Sequence, residues 1–152
     1  MNKNILKNLF YLFFPLIIGG IIGFLISGNI DYNYLEKPPL SPPSILFPII
    51  WSIIYLLMGI SYFILQKDNL VDNKISYIYY LQLFVNTLWS IIFFIFKWRF
   101  FAIIWIIILD ILVIYMIYLF FNKKKISAYL NFLYLGWILF ATYLTIGIYI
   151  LN

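Results

Sequence analysis

The sequence predicts an all-α fold: an integral membrane bundle of five transmembrane helices, forming one domain over residues 1–152. Three observations predict it. Hydrophobic residues make up 66% of the chain and charged residues 10%, against about 25% charged in soluble domains. Apolar runs recur at the ~18 residues or more that cross a bilayer, and five of them fill the length with short connections. The ten cations gather at the ends of those runs, which is where topology is written in a membrane protein.

The first helix is expected over 5–26, behind Lys3 and Lys7. A secretory leader has a shorter apolar core of ~7–15 residues, so this segment reads as a retained span. Gly19, Gly23 and Ser27 fall four apart, a small-residue stripe that lets helix backbones approach closely. The stripe serves packing within the monomer or the seam of a homodimer. A connector follows over 29–44, and five of the six prolines lie between Pro38 and Pro48. Proline fixes φ and biases its predecessor toward extended backbone, so Glu36-Lys37-Pro38-Pro39-Leu40-Ser41-Pro42-Pro43 reads as a stiff, non-helical roof.

The second helix, 45–65, carries Trp51, Tyr55, Met58/Gly59 and Tyr62 on one face. The third, 76–96, aligns Gln82, Asn86, Trp89, Ser90 and Phe93, and ends at the tight basic turn Lys97-Trp98-Arg99. The fourth, 100–121, contains Trp105 and Asp110. After Asn122-Lys123-Lys124-Lys125, the fifth, 126–151, aligns Trp137, Ala141, Leu144/Thr145 and Ile148. No internal repeat is visible, and an odd helix count argues against the two-halves plan of many transporters.

Five spans separate the termini. Lys3, Lys7, Lys67, Lys74 and Lys123 to Lys125 fall on the amino-terminal side, and Lys37, Lys97 and Arg99 on the other. The positive-inside rule places the amino terminus in the cytoplasm and the proline-rich connector outside, with a bacterial cell membrane as the expected location. The net charge of +5 is thus topology, and no nucleic-acid partner is expected. The chain has no cysteine and no histidine, so zinc loses its usual ligands and haem iron its commonest ones. No metal site and no resident cofactor are expected.

Polar groups inside the spans are the candidates for function. A carboxylate at mid-helix, such as Asp110, costs about 2.5–3.5 kcal/mol on insertion scales. Asn86 falls at similar depth on the neighbouring helix. The two form either a structural clasp, worth ~0.6 kcal/mol on average, or the polar floor of a cavity. Gln82 and Ser90 beside Asn86 favour the cavity. At 1.5 Å per residue, Trp51 and Trp89 lie about 9–10 Å inside the outer end, and Trp137 near mid-depth, too deep for an interfacial belt. The expected site is an outer-half cavity walled by Trp51, Tyr55, Trp89 and Trp137. Apolar walls with a few placed polar groups describe a small-molecule site, and tryptophan faces favour a flat aromatic ligand.

These residues resemble a known family. Lys37-Pro38-Pro39-x-x-Pro42-Pro43, Phe47, Trp51-x-x-x-Tyr55-x-x-Met58-Gly59, Gln82-x-x-x-Asn86-x-x-Trp89-Ser90, Asp110 and Trp137-x-x-x-Ala141-Thr142 stand in the order and spacing of the translocator proteins, or tryptophan-rich sensory proteins (TspO/MBR). The resemblance covers the chain from about Leu35 onward. It implies a five-helix bundle, often dimeric, that binds protoporphyrin-type tetrapyrroles and benzodiazepine-type ligands beneath the first loop. It implies ligand contacts from Pro38, Pro39, Phe47, Trp51, Tyr55, Gln82, Asn86, Trp89, Ser90, Asp110, Trp137, Ala141 and Thr145. Leu40, Ser44 with Ile45, and Thr145 depart from the family's frequent tryptophan, Gly-Trp and asparagine. The Tyr-to-cation pattern linked to sterol binding is absent after Tyr149, so sterol transport is not expected.

Four functions compete. The first is sensing or sequestration of a bound tetrapyrrole. The second is light-dependent oxidative degradation of protoporphyrin, with Trp51 and Trp137 as oxidisable partners, since no conventional catalytic constellation is present. The third is transport through Asp110, and the fourth is a ligand-free structural bundle. The expected partners are the lipid bilayer, a small aromatic or tetrapyrrole ligand, and a second copy of the chain.

Overall fold

The computed structural model describes residues 3–152. Met1, Asn2 and the Lys3 side chain, which the expected domain and the charge tally include, lie outside the described residues. The helices are α1 (Lys3–Ile26), α2 (Leu46–Lys67), α3 (Asn73–Ser90), α4 (Arg99–Lys123), α5 (Lys125–Tyr129) and α6 (Phe132–Leu151). α3 runs on as a π-helical turn over Ile91–Ile95, and α5 with α6 forms the last span. Five segments are therefore long and apolar enough to cross a bilayer.

The first, second and fourth expected helices lie within two residues of the observed limits, and the third within three once the π-helical turn to Ile95 is counted. The fifth, 126–151, is not continuous: it breaks at Leu130–Asn131. Asparagine competes with the helix for backbone partners. Here the Asn131 amide donates to the Ser127 carbonyl at 2.9 Å and to the Ser61 hydroxyl at 2.8 Å, which pins the break to α2. The third helix does not stay regular to 96. Phe96 N–H bonds the Ile91 carbonyl at 3.1 Å, an i→i+5 step, and Lys97 turns at φ 57°. The Arg99 guanidinium donates to the Phe93 carbonyl at 2.6 Å and lies 4.1 Å from the Phe93 ring, so one side chain holds the widened turn.

Charged pairs tie the connections together in the alternation that five spans require. At one end Asp31 accepts two bonds from Arg99, at 2.8 and 2.7 Å, with Lys97 at 3.5 Å; the first and third connections are joined. At the other end Lys123 pairs with Asp72 at 3.2 Å and Lys124 with Asp68, joining the second and fourth. Asp72 also caps α3 by accepting from the Ile75 N–H at 2.9 Å. That bond, with Lys123 beside it, holds its carboxyl below the usual range.

The two halves of the bundle pack differently. Toward the amino terminus, Met58, Tyr62, Tyr79, Met116 and Phe120 are fully buried, and the Tyr62 and Tyr79 rings stack at 3.9 Å. α1 and α2 touch closely because position 59 is glycine: a Cβ there would collide with the Leu12 carbonyl. In the other half, small residues face the interior: Gly19, Gly20 and Gly23 on α1, Ser90 on α3, and Ala141 and Thr145 on α6. Large side chains fill the first half, and small ones leave the second hollow.

Candidate ligand cavity

The hollow is a cavity of about 770 Å³ between α1, α2, the end of α3 and α6. Its walls are paired aromatics. Trp51 stacks on Tyr55, one turn along α2, with centroids 5.4 Å apart and planes 27° apart. Trp89 stacks on Phe93, one turn along α3, at 5.3 Å and 24°. Trp137 of α6 meets Phe47 edge-on at 5.7 Å. The α1 wall sets Gly19, Gly20 and Gly23 among Leu16, Ile22 and Ile26. Gly20 and Gly23 have open space where a Cβ would stand, while Gly19 is filled by the Tyr55 ring.

Of the residues expected at the site, Phe47, Trp51, Tyr55, Trp89, Ser90, Trp137, Ala141 and Thr145 line the cavity. Pro38, Pro39, Gln82, Asn86 and Asp110 do not. The reasons differ. Ahead of its turn at Leu40, where φ is 67°, the connector lies along the end of α6. Pro38 packs on Gly147, and the Pro39 carbonyl accepts from the Tyr143 hydroxyl at 2.8 Å. The roof is instead Tyr32, Asn33, Ser44 and Ile45. The Tyr32 hydroxyl anchors it by donating to the Pro42 carbonyl at 2.8 Å.

The expected polar floor is also corrected. Asn86 and Asp110 neither pair with each other nor meet the cavity. The floor is the Tyr55 ring, and Asn86 lies one bond beneath it. The Tyr55 hydroxyl donates to Asn86 Oδ1 at 2.9 Å, Asn86 Nδ2 donates to the Tyr134 oxygen at 2.8 Å, and the Tyr134 hydroxyl donates to Gln82 Oε1 at 2.8 Å. Gln82 Nε2 closes the run on the Tyr79 carbonyl at 3.0 Å. The polar stripe of α3 is thus a buried network that props the floor. Asp110 faces α6, where its Oδ2 accepts from the Thr142 hydroxyl at 2.7 Å.

Some polar groups within the wall are already engaged, whereas the Asn33, Ser44 and Ser90 side chains line it as well. Thr145 Oγ1 is taken up by the Ala141 carbonyl at 2.7 Å. The indole nitrogens of Trp89 and Trp137 are buried with no hydrogen-bond partner. Buried donors are nearly always paired; these two nitrogens lie enclosed behind the cavity wall, on side chains whose rings line it. Sequence reasoning missed the α1 wall, the Tyr32 roof and Tyr134. The glycines were visible as a stripe, but a stripe does not say which way it faces. Tyr134 had a signal in its position one turn before Trp137.

The TspO/MBR family model matches residues 11–151. Tryptophan-rich protein TspO of Archaeoglobus fulgidus is 37% identical over 152 aligned residues, covering 98% of this chain and 99% of that one. Tryptophan-rich protein TspO of Chlorobaculum tepidum is 30% identical over 124 residues, covering 80% and 78%. Protein CrtK of Rhodobacter capsulatus is 38% identical over 80 residues, 49% of each chain.

Proposed function

Because this chain belongs to the TspO/MBR family of integral membrane proteins and its bundle encloses an aromatic cavity, we propose that it binds a flat tetrapyrrole of the protoporphyrin type, or a benzodiazepine-type ligand, and acts in sensing or sequestration. The observation that carries this reading is the set of aromatic rings on the cavity wall: Trp51 stacked on Tyr55, Trp89 on Phe93, and Trp137 beside Phe47. Ring faces suit a planar conjugated ligand. A volume of about 770 Å³ lies within the ~300–1,000 Å³ of small-molecule sites. The reading needs no metal ligand and no resident cofactor.

The same reading places the amino terminus in the cytoplasm and the Asp31–Arg99 end outside, from the excess of lysines at the amino-terminal end. It includes a homodimer, with a seam away from Gly19 and Gly23, which face the cavity. The test is a dark titration of protoporphyrin into detergent-purified protein, following tryptophan fluorescence. Saturable quenching is expected, weakened about five-fold by Trp89→Phe or Trp137→Phe, the loss of ~1 kcal/mol of ring contact. Quenching that never saturates and is the same in both variants would mean partition into the micelle and would end this reading. A second reading, light-dependent oxidation of the bound porphyrin, is favoured by the presence of both Trp51 and Trp137 on the cavity wall. Illuminating the saturated complex tests it: bleaching that outpaces free porphyrin, and slows in Trp51→Phe, is its expected result.

A further inference from the structure

We propose that the cavity has a side door onto the bilayer: the Trp137 ring is the partition between the cavity and an apolar groove on the lipid-facing surface, and a flat apolar ligand dissolved in the membrane passes in beside it. This rests on the cavity being the ligand site. The groove, of about 460 Å³, lies between Ile50 and Ile53 of α2 and Leu133, Gly136 and Phe140 of α6. Trp137 belongs to its wall and to the wall of the main cavity. Trp137 is the one residue that the two linings share.

Three observations make that side chain movable. Its indole nitrogen has no hydrogen-bond partner, so turning the ring breaks none. Its ring neighbours, Phe47 and Phe140, meet it only at an edge or a tilt, each with centroids 5.7 Å away. Gly136, the residue before it, has open space where a Cβ would stand, which leaves room on the groove side. The surrounding elements allow it too, because α6 packs mainly on α4 and only sparsely on α2. Ile53 and Leu133, at the mouth, are 46% and 48% exposed, and no polar side chain lines the groove. The ring system of such a ligand therefore passes only apolar side chains on the way in. On the other side the Asp31–Arg99 pair and the Tyr32–Pro42 bond tie the connector down.

The test is kinetic. Protein in vesicles is mixed with vesicles preloaded with protoporphyrin, and quenching of tryptophan emission is followed by stopped flow. Gly136→Phe fills the groove against the outer face of Trp137 without touching the cavity. It is expected to slow association about ten-fold, a span that k_on commonly covers among variants. Dissociation is expected to slow equally, leaving the equilibrium constant within about two-fold, because a plug in the path leaves the bound state alone. Ile53→Trp plugs the same groove from the exposed face of α2 and is expected to act alike, which guards against a folding defect in the first variant. Unchanged rates in both variants, with saturable binding intact, overturn the door and leave the cavity standing. A change confined to affinity also overturns it. Wild-type protein that never saturates removes the cavity and the door together.

Discussion

At the scale of single residues, the two polar groups that stand out in the spans have different work. Asn86 is the hub of the Tyr55–Asn86–Tyr134–Gln82 run. Asn86→Leu leaves the hydroxyl of Tyr55 without an acceptor and that of Tyr134 without a donor, and a buried unsatisfied group costs about 1–3 kcal/mol. The expected result is a lower midpoint in thermal unfolding and weaker porphyrin binding, since the Tyr55 ring is the floor. Asp110 serves only Thr142. Asp110→Asn keeps an oxygen for that bond, so both the midpoint and the porphyrin affinity are expected to stay at wild-type values in the same assays. A ten-fold loss of affinity in this variant would return Asp110 to the site and revive transport. Depth and spacing in the sequence showed that both residues sit mid-membrane. They did not show that α3 turns Asn86 toward α2 and α6, whereas Asp110 of α4 looks only to α6. A helical register is legible along one chain, but the rotation of one helix against another is fixed by packing.

At the scale of elements, glycine sets how close helices come. Gly59→Ala places a methyl group against the backbone of Leu12, and backbone cannot step aside as a flexible side chain can. α1 has to move outward, which is expected to cost about 1–3 kcal/mol, read as a lower denaturation midpoint in detergent. Gly23→Ala at the α1 wall meets open space and is expected to leave that midpoint unchanged. The helices themselves were legible because a bilayer demands long apolar runs. The break at Leu130–Asn131 was not, since it depends on Ser61 of a distant helix accepting the Asn131 amide. The π-helical end of α3 likewise depends on Arg99 reaching back to the Phe93 carbonyl. Each deviation from regular helix is held by a partner that local sequence does not reveal.

At the scale of the whole molecule, the hollow half needs a fastening that the solid half does not. Few side chains cross it, so the roof is held mainly at its edges. One edge is Asn152, which accepts from the Glu36 N–H at 3.0 Å and donates to the Glu36 carbonyl at 3.0 Å. The other is the two-pronged Arg99–Asp31 pair. Burial raises the Asp31 carboxyl, but the Arg99 bonds and charge, with Lys97 behind them, outweigh it and hold the group below its ordinary value of 3.8. A depressed carboxylate stabilises the folded state at pH above its unfolded value, and that stability is lost as pH falls through the folded one. The pair is therefore intact at neutral pH and fails only below about 3.8. Asp31→Asn is expected to lower stability at pH 7 by about 1 kcal/mol, as for a well-aligned pair near the surface. The difference from wild type should shrink on acidification below that value. The variant also frees the roof, which opens a second way out of the cavity beside Trp137. Porphyrin dissociation measured at pH 7 is then expected to quicken in Asp31→Asn, and to stay quick when Gly136→Phe is added. Dissociation that remains slow in the double variant would mean that the roof stays shut without Asp31, held by Asn152, Tyr32 and Tyr143.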